Sequence, residues 1–195
     1  MTQPNPRFRF DKEKAIEVII FLTKALGEAH YRKVLKLMYF ADKTHLEQLG
    51  RTIDDDSYIA LQSGVYPENA LKLIKDSILD VNNPSFHMEY NHIIADRECN
   101  EDELSESDIQ ILNNMVKVYA GFPLWQLSQF SQDDAWRNAW QNKWRHQPSP
   151  GAYQVNFLDI IESVDDLDGS LMKHLMGDSE DGDIEKIVDH LRKLK

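Results

Sequence analysis

The apolar positions of this chain repeat mostly at helical spacing, with two interruptions. After Asp11, a good helix N-cap, Ala15, Ile19, Leu22 and Leu26 mark one face until Gly27. A second helix is expected over Tyr31–Leu49, burying Val34, Leu37, Met38, Ala41, Leu46 and Leu49, with Gly50 placed to end it in a left-handed cap. The stretch RTIDDDSYIALQSGVYP then breaks the period. Asp54, Asp55 and Asp56 read as a solvated turn, and Tyr58–Leu61 as a short apolar segment of either strand or helix. Pro67 suits the first turn of a further helix running to about Leu79.

The second interruption is FHMEYNHIIADREC. Phe86, Met88 and Tyr90 alternate as in a strand, Asn91–His92 would form the turn, and Ile93–Arg97 the returning strand. A lone hairpin needs helices to cover it, so this one is expected to be an accessory. Helical spacing then resumes. Ser105 and Asp108 resemble a capping box before the stripe Ile109, Leu112, Val116 and Tyr119, which Gly121 stops. A short helix over Leu124–Phe130 follows, then a tryptophan-bearing helix with Ser131 and Asp134 as its expected cap, ended by QPSPG. A last short helix starts near Asn156. The pattern predicts a mainly α fold, a compact multi-helix single domain over residues 11–162 with a small β-hairpin accessory. Residues 163–195 read as an acidic linker and a C-terminal amphipathic helix, with Ile184, Ile187, Val188, Leu191 and Leu194 on one face.

Charge narrows the partners. With 22 basic and 33 acidic residues the formal net charge is −11, the wrong sign for bulk attraction to phosphate, so nucleic acid is an unfavoured partner. A basic protein is better matched, because a negative surface speeds that encounter. The single cysteine, Cys99, excludes an intramolecular disulfide, and its acidic neighbours in DRECNEDE disfavour the thiolate. MTQPNPRFRF lacks the apolar core of a signal peptide, and the longest apolar run, Val18–Leu22, is too short to span a bilayer. A cytoplasmic protein without a membrane association is expected.

Catalytic and metal-binding motifs are sought without success. There is no phosphate-cradling glycine loop, no HExxH and no zinc-like Cys/His spacing. The acidic tail fails as a calcium loop. Around Gly169 the ligand positions hold Val164, Asp166 and Asp168, with Leu175 in place of Glu; before Gly182 stand Gly177, Ser179 and Asp181. No cofactor, metal or catalytic residue is assigned. An enzyme with an unfamiliar site would show clustered perturbed groups in a polar pocket, and a DNA-binding regulator would show a basic face.

Ordered blocks of the sequence resemble a known family. LKLMYFADKTHLEQLGRTIDDDSYIALQSGVYPENALKLI is similar to the opening block of the SocA-like antitoxin family, the Panacea domain. Lys36, Leu37, Met38, Tyr39, Phe40 and Ala41 match its K-L-[LM]-Y-F-A helix, Gly50 and Arg51 its Gly-Arg turn, and Tyr58, Ala60 and Gly64 the segment that follows. LSESDIQIL and LWQLSQFSQDDAW resemble the later blocks. Two positions depart from the pattern. The Gly-Pro-Val turn becomes Gly64, Val65, Tyr66, Pro67, and the histidine of the later block is Gln132, which can still donate and accept hydrogen bonds. The resemblance implies the antitoxin half of a toxin–antitoxin pair, whose partner is a cognate protein toxin neutralised by direct binding. A variant within the family implies an adaptor that delivers the toxin to a Clp-type protease.

Candidate partner-binding residues follow from these readings. Asp54, Asp55 and Asp56 could engage a basic toxin, and Tyr66 occupies the altered turn. Trp136, Trp140 and Trp144 lie on one side of a helix, about 40° apart per step, beside Arg137, Lys143 and Arg145. Trp136 is expected in the core, while Trp140, Trp144 and Arg145 are candidates for a partner surface, because tryptophan is enriched at binding hot spots. Ile187 and Leu191 could lay the terminal helix into a partner groove, or pack it on the domain.

Overall fold

The computed structural model describes residues 9–27, 29–78, 85–141 and 150–164. Among them are seven α-helices and two small antiparallel sheets, arranged around one central helix. Helix α1 (Lys12–Leu26) opens where Asp11 accepts the Lys14 amide at 3.1 Å. Helix α2 (Tyr31–Leu49) closes on Gly50 in the left-handed conformation, φ 69°, with the Gly50 amide on the Leu46 carbonyl. From Val34 to Leu46 every residue of α2 is buried, so it is wrapped on all sides as a helix through a core is. Leu49, expected inside, is half exposed, because α2 has left the core by that turn.

One sheet has the order β1 (Ala29–His30), β5 (His92–Ala95), β4 (Phe86–Glu89). The β4–β5 turn falls on Tyr90 and Asn91, one residue earlier than the sequence pattern suggests. Both have positive φ, 46° and 70°, as a two-residue type I′ turn demands. The expected accessory is therefore a three-stranded sheet, with Ala29–His30 as its third strand.

The other sheet, β3 (Gly64–Pro67), β2 (Tyr58–Leu61), β6 (Tyr153–Gln154), lies against α2 and the later helices. Tyr58–Leu61 is a strand, pairing Tyr58 with Pro67 and Leu61 with Gly64. All four residues of β3 are buried, so no alternation of polar and apolar positions announces it. Pro67 ends β3 and caps α3 (Glu68–Asp76), which stops short of the expected Leu79.

Helix α4 (Glu106–Tyr119) begins with the expected capping box. Ser105 Oγ accepts the Asp108 amide, and Asp108 accepts the Ser105 amide. Its buried stripe is Ile111, Leu112, Met115, Val118 and Tyr119, with Ile109 and Val116 only partly covered. Helices α5 (Leu124–Phe130), α6 (Asp134–Gln141) and α7 (Phe157–Val164) complete the described chain. Ser131 does not cap α6. It closes α5, donating to the Ser128 carbonyl, and Asp133 accepts the Trp136 amide at 3.1 Å to open α6. Among the described residues no helix is long and apolar enough to cross a membrane.

Candidate functional site

The polar residues of α2 do not form a solvent face. Lys36, Asp42, Lys43 and His45 are all buried, and each meets a group brought by a later segment. Lys36 Nζ donates to the Val65 carbonyl at 2.8 Å and stands 3.5 Å from the centre of the Tyr66 ring. Burial pushes this amine well below its usual range, and Asp133 pulls partly in the other direction. Gly64 makes the approach possible. At φ 101° its notional Cβ would fall 2.0 Å from Ser131 Oγ and 2.8 Å from Lys36 Nζ, so no side chain fits.

One turn further along α2, Tyr39 donates to Asp133 Oδ2 at 2.7 Å, and Lys43 Nζ pairs with the same oxygen at 2.6 Å. Asp133 thus neutralises a buried lysine, takes a buried phenol and opens α6. Nothing in the sequence marks it for this except its place three residues before Trp136. At the C-terminal part of α2, His45 Nε2 lies 2.8 Å from Asp108 Oδ1, and Lys14 Nζ lies 2.6 Å from Oδ2. Burial alone would raise the Asp108 carboxyl, but hydrogen bonds from His45, Lys14 and the Ser105 amide hold it well below the carboxylate range. Arg51 reaches the same carboxylate from the Gly-Arg turn.

The expected solvated acidic turn is corrected by the structure. Asp54 and Asp56 are buried, and only Asp55, at φ 55°, is partly open. Backbone amides explain the burial. Asp56 accepts the amides of Asn69 and Ala70 and caps α3 from a distance. Asp42 accepts the Ile53 amide at 2.8 Å and the Tyr58 hydroxyl at 2.7 Å. Neither carboxyl oxygen of Asp54 has a hydrogen-bond partner of good geometry. Burial, and then Asp42 and Asp56, push the Asp54 carboxyl well above its usual value; burial drives Asp42 up to about 7. Among the described residues no group of three or more His, Cys, Asp and Glu is placed to hold a metal ion.

Tyr66 is buried beside Lys36, with its hydroxyl 2.8 Å from Ser63 Oγ, so it belongs to the core rather than to a free surface. The tryptophans close the second sheet. Trp136 Nε1 donates to the Leu61 carbonyl at 2.7 Å, as Gln132 Nε2 does to the neighbouring Gln62 carbonyl at 2.9 Å. Trp136 packs against the core as expected, and Trp140, half-buried, stacks on it at 5.2 Å and meets the Tyr153 ring edge-on. Gln132 therefore ties the β2–β3 turn to the start of α6 through its amide. Trp144, Arg145, Ile187 and Leu191 lie outside the described residues.

The class is thus a mainly helical domain whose central helix is held by buried hydrogen bonds to β2 and β3 and by buried charged contacts to the start of α4 and the start of α6. The sequence profile of the family described as Antitoxin SocA-like, Panacea domain, matches residues 34–137, more than half of the chain. The chain belongs to that family. No curated protein and no solved structure matches it. The matched region begins in α2 and ends in α6, and it contains Lys36, Lys43, Gly64, Asp108 and Asp133.

Proposed function

We propose that this chain is a cytoplasmic antitoxin that neutralises a cognate protein toxin by stoichiometric binding, without a cofactor and without catalysis. The observation that carries this reading is the family match over residues 34–137. The disposition of the reactive groups supports it. Lys36 is buried against a carbonyl and a ring, and the Cys99 thiol is pushed up to about 11, by burial first and then by Glu17 and Glu101. A thiol that weakly acidic is a poor nucleophile.

The test is co-expression with the protein encoded by the adjacent reading frame, scoring growth and then co-purification. Rescue with a stable complex is the expected result. Rescue in which the toxin disappears only in cells with an active Clp-type protease would replace direct neutralisation by delivery. Absence of rescue with either flanking reading frame would overturn the antitoxin reading.

A further inference from the structure

The end of the molecule at the start of α2 breaks two local rules. Tyr90 holds the first turn position between β4 and β5 at φ 46°, a conformation that favours Asn, Asp or Gly. Its side chain is 96% exposed, so no packing offsets the strain. The turn is nonetheless fixed in place. The Asn91 carbonyl accepts the Tyr31 amide at 2.9 Å, and His92 Nδ1 donates to the Tyr90 carbonyl at 3.2 Å.

The second irregularity is Arg32. The first turn of α2 has no acidic residue, and it carries Arg32 and Lys33 at the positive end of the helix. Lys33 is compensated, because its ammonium binds the Ala120 carbonyl at the end of α4. Arg32 is exposed and turned onto Tyr31, with Nε donating to the Tyr31 hydroxyl at 3.1 Å and the guanidinium 5.7 Å from the ring centre. Its hydrogen-bond partner is Tyr31, its like-charged neighbour is Lys36, and among the described residues no carboxylate pairs with it. His30 stacks on Tyr31, and His92 meets His30 edge-on, so the patch is continuous from Arg32 to the turn. It is an aromatic surface that carries the Arg32 cation on a chain of net charge −11, and the Glu89 carboxylate beside Tyr90 faces His87 at 3.5 Å.

We propose that this patch, Arg32 and Tyr31 with Tyr90 on its rigid turn, is the surface on which the chain receives an acidic segment of its protein toxin. The proposal rests on the antitoxin reading and adds the place and the charge of the contact. Tyrosine and arginine are two of the three side chains enriched at the energetic centres of interfaces, with tryptophan the third. Charge decides the occupant. A basic segment is drawn to the rest of this acidic protein and repelled here, whereas an acidic segment finds its attraction at this patch, which fixes the orientation of the complex.

The test measures binding of the adjacent-gene protein to the full chain and to Tyr90→Asn and Arg32→Glu, alongside thermal unfolding. Tyr90→Asn eases the turn and Arg32→Glu suits the helix end, so both midpoints should hold or rise. Binding should weaken about tenfold or more in each, and wild-type affinity should fall with added salt. Wild-type binding that survives both substitutions would overturn the surface and leave the antitoxin reading intact. Tighter binding by Arg32→Glu would overturn the acidic segment. A lowered midpoint in both variants would assign these residues to the fold instead. Binding of a single-stranded oligonucleotide by the wild type, lost in Arg32→Glu, would give the patch to nucleic acid. No binding by the wild-type chain would remove both readings together.

Discussion

Arg32 and Lys36 stand one turn apart on α2 and live in different media. Lys36 is enclosed, fitted to a carbonyl, a ring and a glycine with no room for a methyl group. Arg32 is open to water, has no carboxylate partner among the described residues, and sits at the helix end that disfavours a cation. The same contrast holds for the acids. Asp108 is buried among three cationic or imidazole side chains, whereas Asp54 is buried among other acids. A charge buried with partners organises a fold, and a charge left without them at the surface is available to another molecule. Lys36 and Gly64 of the inner set stand in the segments that resemble the family, whereas Arg32 of the outer set lies before the matched residues 34–137.

The contrast is broken most severely at Asp133. Asp133→Ala removes the carboxylate that the buried Lys43 ammonium and Tyr39 hydroxyl share, and should cost about 3–5 kcal/mol, read by urea unfolding. Adding Lys43→Met should restore much of that loss, because a buried pair replaced by apolar side chains is often neutral. Recovery of nothing would show that Asp133 acts mainly as the α6 cap. Gly64→Ala comes next, at about 3 kcal/mol, from the sum of left-handed strain and overpacking against Ser131 and Lys36. Denaturant midpoints compare it directly with Gly50→Ala, where a Cβ meets nothing and only the conformational strain applies.

The acids give an effect that depends on pH. Asp42, Asp54 and Asp56 have folded pKa values above the ordinary carboxyl value. Their folded forms keep the proton while the unfolded chain releases it, so stability falls as pH rises from about 4 to about 7, where Asp42 ionises. Asp108 has the opposite sign. Its lowered carboxyl contributes stability above about pH 4 that is lost on further acidification. Asp54→Asn should raise stability at pH 7 and flatten the neutral side of the profile. Asp108→Asn should flatten the acidic side. Unfolding midpoints across pH 3–8 that leave both limbs unchanged would remove these groups as the cause. The smallest effects on stability belong to the outer set. Tyr90→Asn and Arg32→Glu should each add no more than about 0.5–1 kcal/mol.

The helices were legible because their ends are written in single residues. Asp11, Ser105 with Asp108, and Gly50 each do what their chemistry suggests. The sheet around β3 was not legible, because Gly64, Val65, Tyr66 and Pro67 are all buried and leave no period of two. The acidic run misled for a related reason. Charge says how a side chain interacts with water, but the amides of Ile53, Asn69 and Ala70 that hold Asp42 and Asp56 come from other segments. Of the expected partner surface, Asp54, Asp56 and Tyr66 went inside, Trp140 went against Tyr153, and the patch around Arg32 gave no signal in periodicity. Its signals were an arginine in a first helical turn and a tyrosine in a two-residue turn, both visible only once the elements are placed.

The stacked indoles of Trp136 and Trp140, 17° from parallel, give the protein an optical property of its own. Two chromophores held that closely absorb as a coupled pair; they stand one turn apart on α6, and the Trp136–Leu61 hydrogen bond fixes one of them against β2. Near-ultraviolet circular dichroism therefore carries a contribution from the seating of Trp136 on β2, beside those of the other ordered aromatic side chains. The far-ultraviolet signal reports mainly helix content, with the band of the coupled indoles superimposed. Comparing the two regions during unfolding thus follows loosening of the α6–β2 contact against melting of the helices.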